Sequence, residues 1–319
     1  MKFTITESMN MSNEATEREL KKTIDLWSQK ASPEDLLRRK NLSWMNHPRV
    51  EKNYINKRIS GFESKNWLEH FKLKYAAQPF TKVASLGCGA GGLERHAHYL
   101  GISQKIDAFD IADGAIKIAK QEAHNMGMAQ SIHYECCDIS TIRLSPQTYD
   151  AVFTSQSAHH FESLEHIFDQ VKQSLKPGGL FVLNEFIGPT RFQWTDQQLE
   201  IANAILDTLP AAYKTSVANR EIQKDRITRP TIEQMISYDP SEAVRSAEIM
   251  KILTDRFEII EKIDFGGTLL QILLEDIAGN FNAESDYDNL LIDMICTIED
   301  ILIKNQTIKS DFVFIVCRA

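Results

Sequence analysis

Several things are scarce in this 319-residue chain, and each scarcity removes a class of protein. Its five cysteines, Cys88, Cys136, Cys137, Cys296 and Cys317, are odd in number and form no C-x-x-C pair, which argues against a disulfide framework or a structural zinc site. Positive charge is in deficit, with 36 Lys and Arg against 44 Asp and Glu and a formal charge of −8. No basic field is available to gather phosphates, so nucleic acid is excluded as an expected partner. No apolar run approaches the ~18 residues that a membrane span requires, and the first residues lack the apolar core of a signal peptide, so a cytoplasmic location and no membrane partner are expected. Repeats and low-complexity tracts are absent. What remains is 43% hydrophobic and 25% charged, enough to bury a full core in one large domain or in a domain plus a cap.

The chain is organised around residues 81–92, TKVASLGCGAGG. An apolar run, Lys82 to Leu86, reads as a short buried strand, and Leu93 onward reads as a helix. Gly87, Gly89, Gly91 and Gly92 therefore sit at a strand-to-helix turn, where positive φ and close ligand approach are allowed and the helix start offers free N–H groups. From residue 81 to 187 strands alternate with helices: KVASL, KIDAFD, SIHYECC, YDAVFTS and GGLFVLNEF are the strands. That rhythm predicts parallel βαβ units and a doubly wound α/β sheet with helices on both faces.

Ahead of the sheet lie three helical patterns, ATERELKKTIDLWSQK, SPEDLLRRKNLSWM and SKNWLEHFKLKY, following about 12 residues that read as disordered. In the second, Ser32 is the expected N-cap, with Pro33 at the first position and Asp35 as a capping acid. Residues 1–78 are expected to form a helical cap, and 79–319 the main domain with a helical insertion at about 189–245. Thr195 and Gln198 form a capping-box pair at the start of that insertion, which is expected to act as a substrate lid. SEAVRSAEIMKILTDRF reads as a helix and FEIIEKIDF as a sixth strand. Two further helices follow, around TLLQILLEDIAGNF and on a face made by Leu291, Met294, Ile295, Ile298, Ile301 and Leu302. The chain closes on a β-prone strand, DFVFIVCRA.

A nucleotide-like ligand at the glycine turn needs an acid at the tip of the second strand to accept two ribose hydroxyls. Asp110 stands there, whereas its rival Asp107 lies inside the strand. The third strand ends in Cys137, Asp138 and Ile139, where a carboxylate can accept an exocyclic amine. LKPGG precedes the fifth strand, with Pro177 stopping a helix and Gly178 and Gly179 turning the chain.

Together LGCGAGG, Asp110 in FDIADGAIKIAK, Asp138 in CCDIS, YDAVFTSQSAHHF and LKPGGLFVLNEF resemble the class I S-adenosylmethionine-dependent methyltransferases over residues 80–190. The resemblance implies a Rossmann-like seven-stranded sheet whose last strand is antiparallel, and S-adenosyl-L-methionine as cofactor. Its implied cofactor residues are Gly87, Cys88, Gly89, Gly91, Asp110, Ile111, Cys137, Asp138, Ile139 and Ser155. One departure stands out: the family usually carries Asp or Glu where this chain has Ser85, and Glu94, on the following helix, would supply the missing carboxylate. More narrowly, NEFIGPTRFQWTDQQL and NHPRVEKNYINKRISG are similar to methyltransferases of bacterial surface-sugar or secondary-metabolite pathways.

Methyl transfer from a sulfonium is an in-line displacement, so the protein must position the acceptor and take a proton from a hydroxyl or ammonium. His159 and His160, beyond the fourth strand, are the candidate bases; extended neighbours point apart, so one of them at most is expected to act. Glu185 is the second catalytic candidate. Arg191, Trp194, Arg226, Arg229, Glu242 and Arg245 are candidate contacts to an acidic or sugar-like acceptor. No metal is expected; His96 and His98, two apart on a helix, face different ways. TSQS replaces both the Asn/Asp-Pro-Pro-aromatic tetrad of enzymes that methylate base amines and the Pro-Cys of C5-cytosine enzymes. The expected activity is methyl transfer to an oxygen or nitrogen of a small metabolite, with a homodimer possible. An NAD(P)-dependent oxidoreductase, suggested by the glycine spacing, and a non-catalytic scaffold are the alternatives.

Overall fold

The computed structural model describes residues 5–32, 34–35 and 43–319, with side chains from Glu17 onward. Seven strands form one sheet in the order β3-β2-β1-β4-β5-β7-β6. They are β1 (Phe80–Leu86), β2 (Ser103–Asp110), β3 (Ile132–Cys136), β4 (Tyr149–Ser155), β5 (Leu175–Phe186), β6 (Glu258–Gly266) and β7 (Phe312–Arg318). β1 pairs in parallel with β2 and β4, β2 with β3, and β4 with β5, while β7 runs antiparallel to both β5 and β6. The doubly wound α/β sheet with its last strand reversed is the fold expected from the sequence.

Period-two alternation sorts the core onto the two faces of this sheet. Val83, Phe153, Val182, Phe312 and Phe314 pack on one side, and Ala84, Leu86, Val152, Phe181, Leu183 and Ile315 on the other. Helices cover both faces: α1 (Ile5–Lys30), α2 (Trp67–Tyr75), α3 (Gly92–Tyr99), α4 (Asp113–Asn125), α5 (Leu164–Ser174), α6 (Asp196–Thr208), α7 (Ile232–Tyr238), α8 (Ile249–Thr254), α9 (Leu270–Leu274) and α10 (Asp286–Lys304). None of the described helices is long and apolar enough to cross a membrane.

The helices that precede the sheet take two different positions. The backbone of α1 starts at Ile5, inside the stretch read as disordered, because its polar residues are mostly adequate helix formers and need no apolar stripe to continue a helix. The second expected helix falls largely on residues 33 and 36–42, outside the described residues; the Ser32 hydroxyl does accept the Asp35 N–H at 3.2 Å. Residues 44–75 pack on the far flank of the sheet: Trp44 meets Phe312, Trp67 meets Phe314, Phe71 meets Phe153, and Arg49 pairs with Asp293 on α10.

Three sequence readings need correction. The helix expected over 241–257 is confined to α8 and a 3₁₀ turn at Ser246–Glu248. Asp239 binds the N–H and hydroxyl of Ser241, and Ala243 sits at φ +48°, so the chain turns there instead of coiling. The helix expected around 268–281 stops at Leu274, and Asp276 at φ +63° ends it. On α10 the buried face is Ile292, Ile295, Cys296 and Glu299, leaving Met294, Ile298 and Ile301 exposed. The buried Glu299 carboxylate explains the rotation, since it accepts Tyr54 Oη–H and the N–H groups of Gly267, Leu269 and Leu270. The capping box of α6 forms as expected from Thr195 and Gln198.

Candidate active site

Strand order reverses between β1 and β4, so their carboxyl ends open into a crevice where an α/β sheet binds its ligands. Gly87 follows β1 at φ +73° and packs so closely on Ser157 that a Cβ would lie 2.4 Å from the serine Cβ. Ser157 in turn donates its hydroxyl to the Leu86 carbonyl at 2.8 Å, locking the ends of β1 and β4 together. Gly89, also at positive φ, donates its N–H to Asp110 Oδ2 at 2.8 Å, and Ala112 N–H donates to Asp110 Oδ1 at 2.8 Å. Each Asp110 oxygen thus holds one backbone group and keeps a further lone pair for a ligand. Burial, with no cation beside it, raises the Asp110 pKa against the lowering effect of these N–H groups. Asp107, the rival acid, is tied to Tyr149 Oη–H and Lys82 Nζ.

The crevice is a cavity of about 460 Å³. Gly87, Cys88, Gly89, Asp110, Ile111, Asp138, Ile139 and Ser155, all expected from the sequence, line it at one end. Gly91, Glu94 and Cys137 do not line it. Gly91 accepts Tyr134 Oη–H through its carbonyl and has no room for a Cβ. Glu94 is enclosed in the protein, and desolvation pushes its pKa up to about 7 against the lowering effect of the Ser85 hydroxyl.

At the other end of the cavity stand His160, Ser241 and Val244, roofed by Glu19, Leu20, Thr23 and Trp27 of α1. The α1 roof is held by Ser28, whose hydroxyl donates to Asp113 and accepts the Gly114 N–H, and by Trp27, whose indole meets the His160 ring edge-on at 4.8 Å. ATERELKKTIDLWSQK reads as a helix from its sequence; that Leu20 and Trp27 of this helix cover a ligand cavity depends on tertiary placement.

The histidines do not obey the extended-chain argument. Ala158–His160 is a 3₁₀ turn, so both imidazoles lie on one side with ring centres 4.2 Å apart. His159 Nδ1–H donates to Glu185 Oε2 at 2.8 Å, and its Nε2 faces Glu242 Oε1 at 3.6 Å. Glu185 is fully buried and also accepts the N–H groups of Ser157 and Ala158 at 2.6 Å each. Burial alone would lower the His159 pKa; Glu185 first, then Glu242 and Asp239, outweigh it and hold the pKa above the ordinary histidine value. His160 goes the other way, since burial and then His159 depress its pKa and keep it neutral. Ser241 spends its proton on Asp239 Oδ1 at 2.7 Å, so His160 Nδ1–H donates to Ser241 Oγ at 3.1 Å, and the lone pair is on Nε2. Val244 N–H to His159 O and Arg191 N–H to Ala243 O tether the 239–244 turn over the pair. Gln156, Arg191, Phe192 and Ala243 all have positive φ, a concentration of backbone strain around this one site.

Of the residues expected to touch the acceptor, none lines the cavity. Arg191 donates to the Glu242 carbonyl, and Arg245 is bound by Glu165 and Glu248. Arg229 is held by Asp196 and the Trp194 carbonyl, Trp194 stacks on Phe192, and Arg226 is exposed. Glu242 alone reaches the site, through His159.

Comparison with known proteins bears on the glycine end. Residues 84–183 match the family model described as a methyltransferase domain. They form a class I S-adenosylmethionine-dependent methyltransferase domain. S-Adenosylmethionine is the cofactor of that domain, and Asp110, with a free lone pair on each oxygen beside a glycine loop that leaves room for a ligand, suits it. When bound, the cofactor supplies an electrophilic methyl on sulfur. The chain is 24% identical over 193 residues to sterol 24-C-methyltransferase of Eremothecium gossypii, covering 59% of this chain and 50% of that protein. It is 26% identical over 131 residues to a biotin biosynthesis bifunctional protein of Teredinibacter turnerae, covering 40% and 23%. The chain thus spans about half or less of the length of these curated relatives. Among solved structures, geranyl diphosphate C-methyltransferase of Streptomyces coelicolor, in complex with Mg2+, geranyl-S-thiolodiphosphate and S-adenosyl-L-homocysteine, superposes with a TM-score of 0.52 at 11% identity. That likeness covers 94% of this chain and 97% of that one, and it concerns the fold.

Proposed function

We propose that the protein transfers the methyl group of S-adenosylmethionine to an oxygen or nitrogen atom of a small metabolite, a sugar or natural-product intermediate, by direct displacement. The observation that carries this reading is one continuous cavity with the Gly89–Asp110 pair at one end and His160 at the other. A cofactor on the glycine loop would present its methyl toward the histidine end, and the neutral His160 Nε2 is the group suited to take the acceptor's proton. Glu185 positions His159 beside it. Residues 1–78 supply, through α1, one cover of the acceptor, and the insertion at about 189–245 the other, which would keep water from the sulfonium.

Carbon as the acceptor atom is a second reading. It is favoured by the apolar lining of Leu20, Trp27, Phe161, Ile167 and Val244, and by relatives named for C-methylation. Incubation with methyl-13C-labelled cofactor and pooled sugar, amine and isoprenoid acceptors separates the two, because the product's carbon shift distinguishes O–CH3 and N–CH3 from C–CH3. No label transfer to any pool, with the cofactor bound, would favour the scaffold reading.

A further inference from the structure

We propose that His159, His160 and Glu242 bind one first-row divalent transition-metal ion, of the zinc type, at the acceptor end of the cavity. Each residue offers one ligand atom, and the three atoms lie within 4.8 Å of one another. A tetrahedral ion with ligands at about 2.0–2.1 Å sets its donors roughly 3.4 Å apart. His159 Nε2 and Glu242 Oε1, at 3.6 Å, are too far apart for a hydrogen bond and close to that spacing.

The outer contacts are those that prepare imidazoles as ligands. A metal-bound histidine gives its other N–H to a carboxylate or similar acceptor, which fixes the tautomer and strengthens the ligating nitrogen. His159 gives Nδ1–H to the buried Glu185, and His160 gives Nδ1–H to Ser241, itself bound to the buried Asp239. Two neighbouring imidazoles with a carboxylate close by make a donor set for Zn2+, Co2+ or Fe2+ rather than for Mg2+ or Ca2+, which prefer oxygen. Three protein ligands leave a position open, and since His160 alone of the three borders the cavity, an acceptor oxygen would reach that position from the His160 side.

The ion's use in catalysis rests on the methyltransferase reading; its binding does not. An acceptor hydroxyl would coordinate at the open position as its alkoxide, releasing its proton to solvent as the metal–oxygen bond forms, and would be oriented toward the cofactor; the ion would then replace His160 in the proton-removing role, with the histidines holding it. The class of acceptor that fits is a metabolite with a hydroxyl or carboxylate oxygen free to coordinate.

The test is binding of Co2+ and Zn2+ to the chelator-treated protein. It combines equilibrium dialysis, metal analysis and the visible spectrum of the cobalt form, with S-adenosylhomocysteine titrated into the same samples. The expected result is one equivalent of metal, a cobalt spectrum of low coordination number, and affinity lowered at least about 10-fold in His160→Ala and Glu242→Gln, with Ser241→Ala losing about 10-fold through the outer contact. Glu242 is partly exposed, so Glu242→Gln keeps the test open if the histidine variant misfolds. Substoichiometric metal in wild-type protein, or binding indifferent to both His160→Ala and Glu242→Gln, overturns the site. Failure of metal with intact homocysteine-ligand binding sinks this inference alone, whereas failure of the sulfur ligand sinks the reading beneath it.

Discussion

His159 donates its Nδ1–H to Glu185 Oε2 at 2.8 Å while Glu185 Oε1 accepts two backbone N–H groups from the same turn. One buried carboxylate therefore fixes both the tautomer of His159 and the 3₁₀ turn that brings the two imidazoles together, with His160 bordering the cavity. Glu185→Gln can keep one oxygen on the Ser157 and Ala158 N–H groups while its NH2 faces Nδ1 and forces the other tautomer. Methyl transfer is expected to fall by about 100-fold or more with little change in melting temperature. Glu185→Ala leaves several buried donors unpaired, at about 1–3 kcal/mol each, and should melt well below the wild type. Initial rates and thermal melts of the two variants check this; a fully active Glu185→Gln would contradict it.

Asp110 holds the glycine loop through the Gly89 N–H, and under the proposed function it also accepts hydrogen bonds from the cofactor. Asp110→Asn removes the charge and turns one oxygen into a donor, so either the Gly89 or the Ala112 contact is lost along with a ligand acceptor. A charge-assisted hydrogen bond is worth about 1.5–3 kcal/mol, so S-adenosylhomocysteine should bind about 10- to 100-fold more weakly. Calorimetry gives the ratio directly, and unchanged affinity would remove Asp110 from the cofactor site.

Two glycines of the same loop should fail differently. At Gly87 an added Cβ meets Ser157 at 2.4 Å and the residue holds φ +73°, so Gly87→Ala must move the joint between β1 and β4. At Gly89 the space is open and only the positive φ opposes a side chain, at a cost of about 1 kcal/mol. Gly87→Ala should lose stability, whereas Gly89→Ala should stay folded and lose cofactor affinity, since its methyl enters the cavity. Denaturant melts and ligand titration separate the two effects.

Asp311 makes stability depend on pH. It is buried, with its carboxyl accepting Gln198 Nε2–H at 3.1 Å, and desolvation followed by the nearby Glu299 pushes its pKa up to about 7. Between about pH 4 and 7 the folded chain keeps a proton that the unfolded chain has released, so stability falls as pH rises through that window and levels above it. Glu94, also raised to about 7, adds to the same slope. Asp311→Asn removes its share, and its stability relative to wild type should improve between pH 5 and pH 8 by up to about 3 kcal/mol, roughly two pH units at 1.36 kcal/mol per unit. Urea melts at the two pH values check the sign; a pH dependence identical to wild type would contradict the assignment.

The sheet was legible in the sequence because each strand carries its own period-two or continuous apolar signal, and the glycine turn, Asp110 and Asp138 sit next to the strands that place them. The acceptor end was not legible. His159 and His160 were read as extended neighbours, but a 3₁₀ turn set by Glu185, 26 residues away from His159, brings the rings together. Ser241 opens a stretch that reads as a helix in the sequence, Asp239 lies just before it, and nothing local marks Ala243 as a residue at positive φ. The lid arginines were judged by charge, whereas Arg245 and Arg229 find acidic partners that only the fold supplies.

The most direct measurement is calorimetric titration of the purified protein with S-adenosylhomocysteine, alongside NADH. The account predicts one site per chain for the sulfur ligand, weakened in Asp110→Asn, and no binding of NADH. Binding of NADH in place of the sulfur ligand, or sulfur-ligand binding indifferent to Asp110, would contradict it.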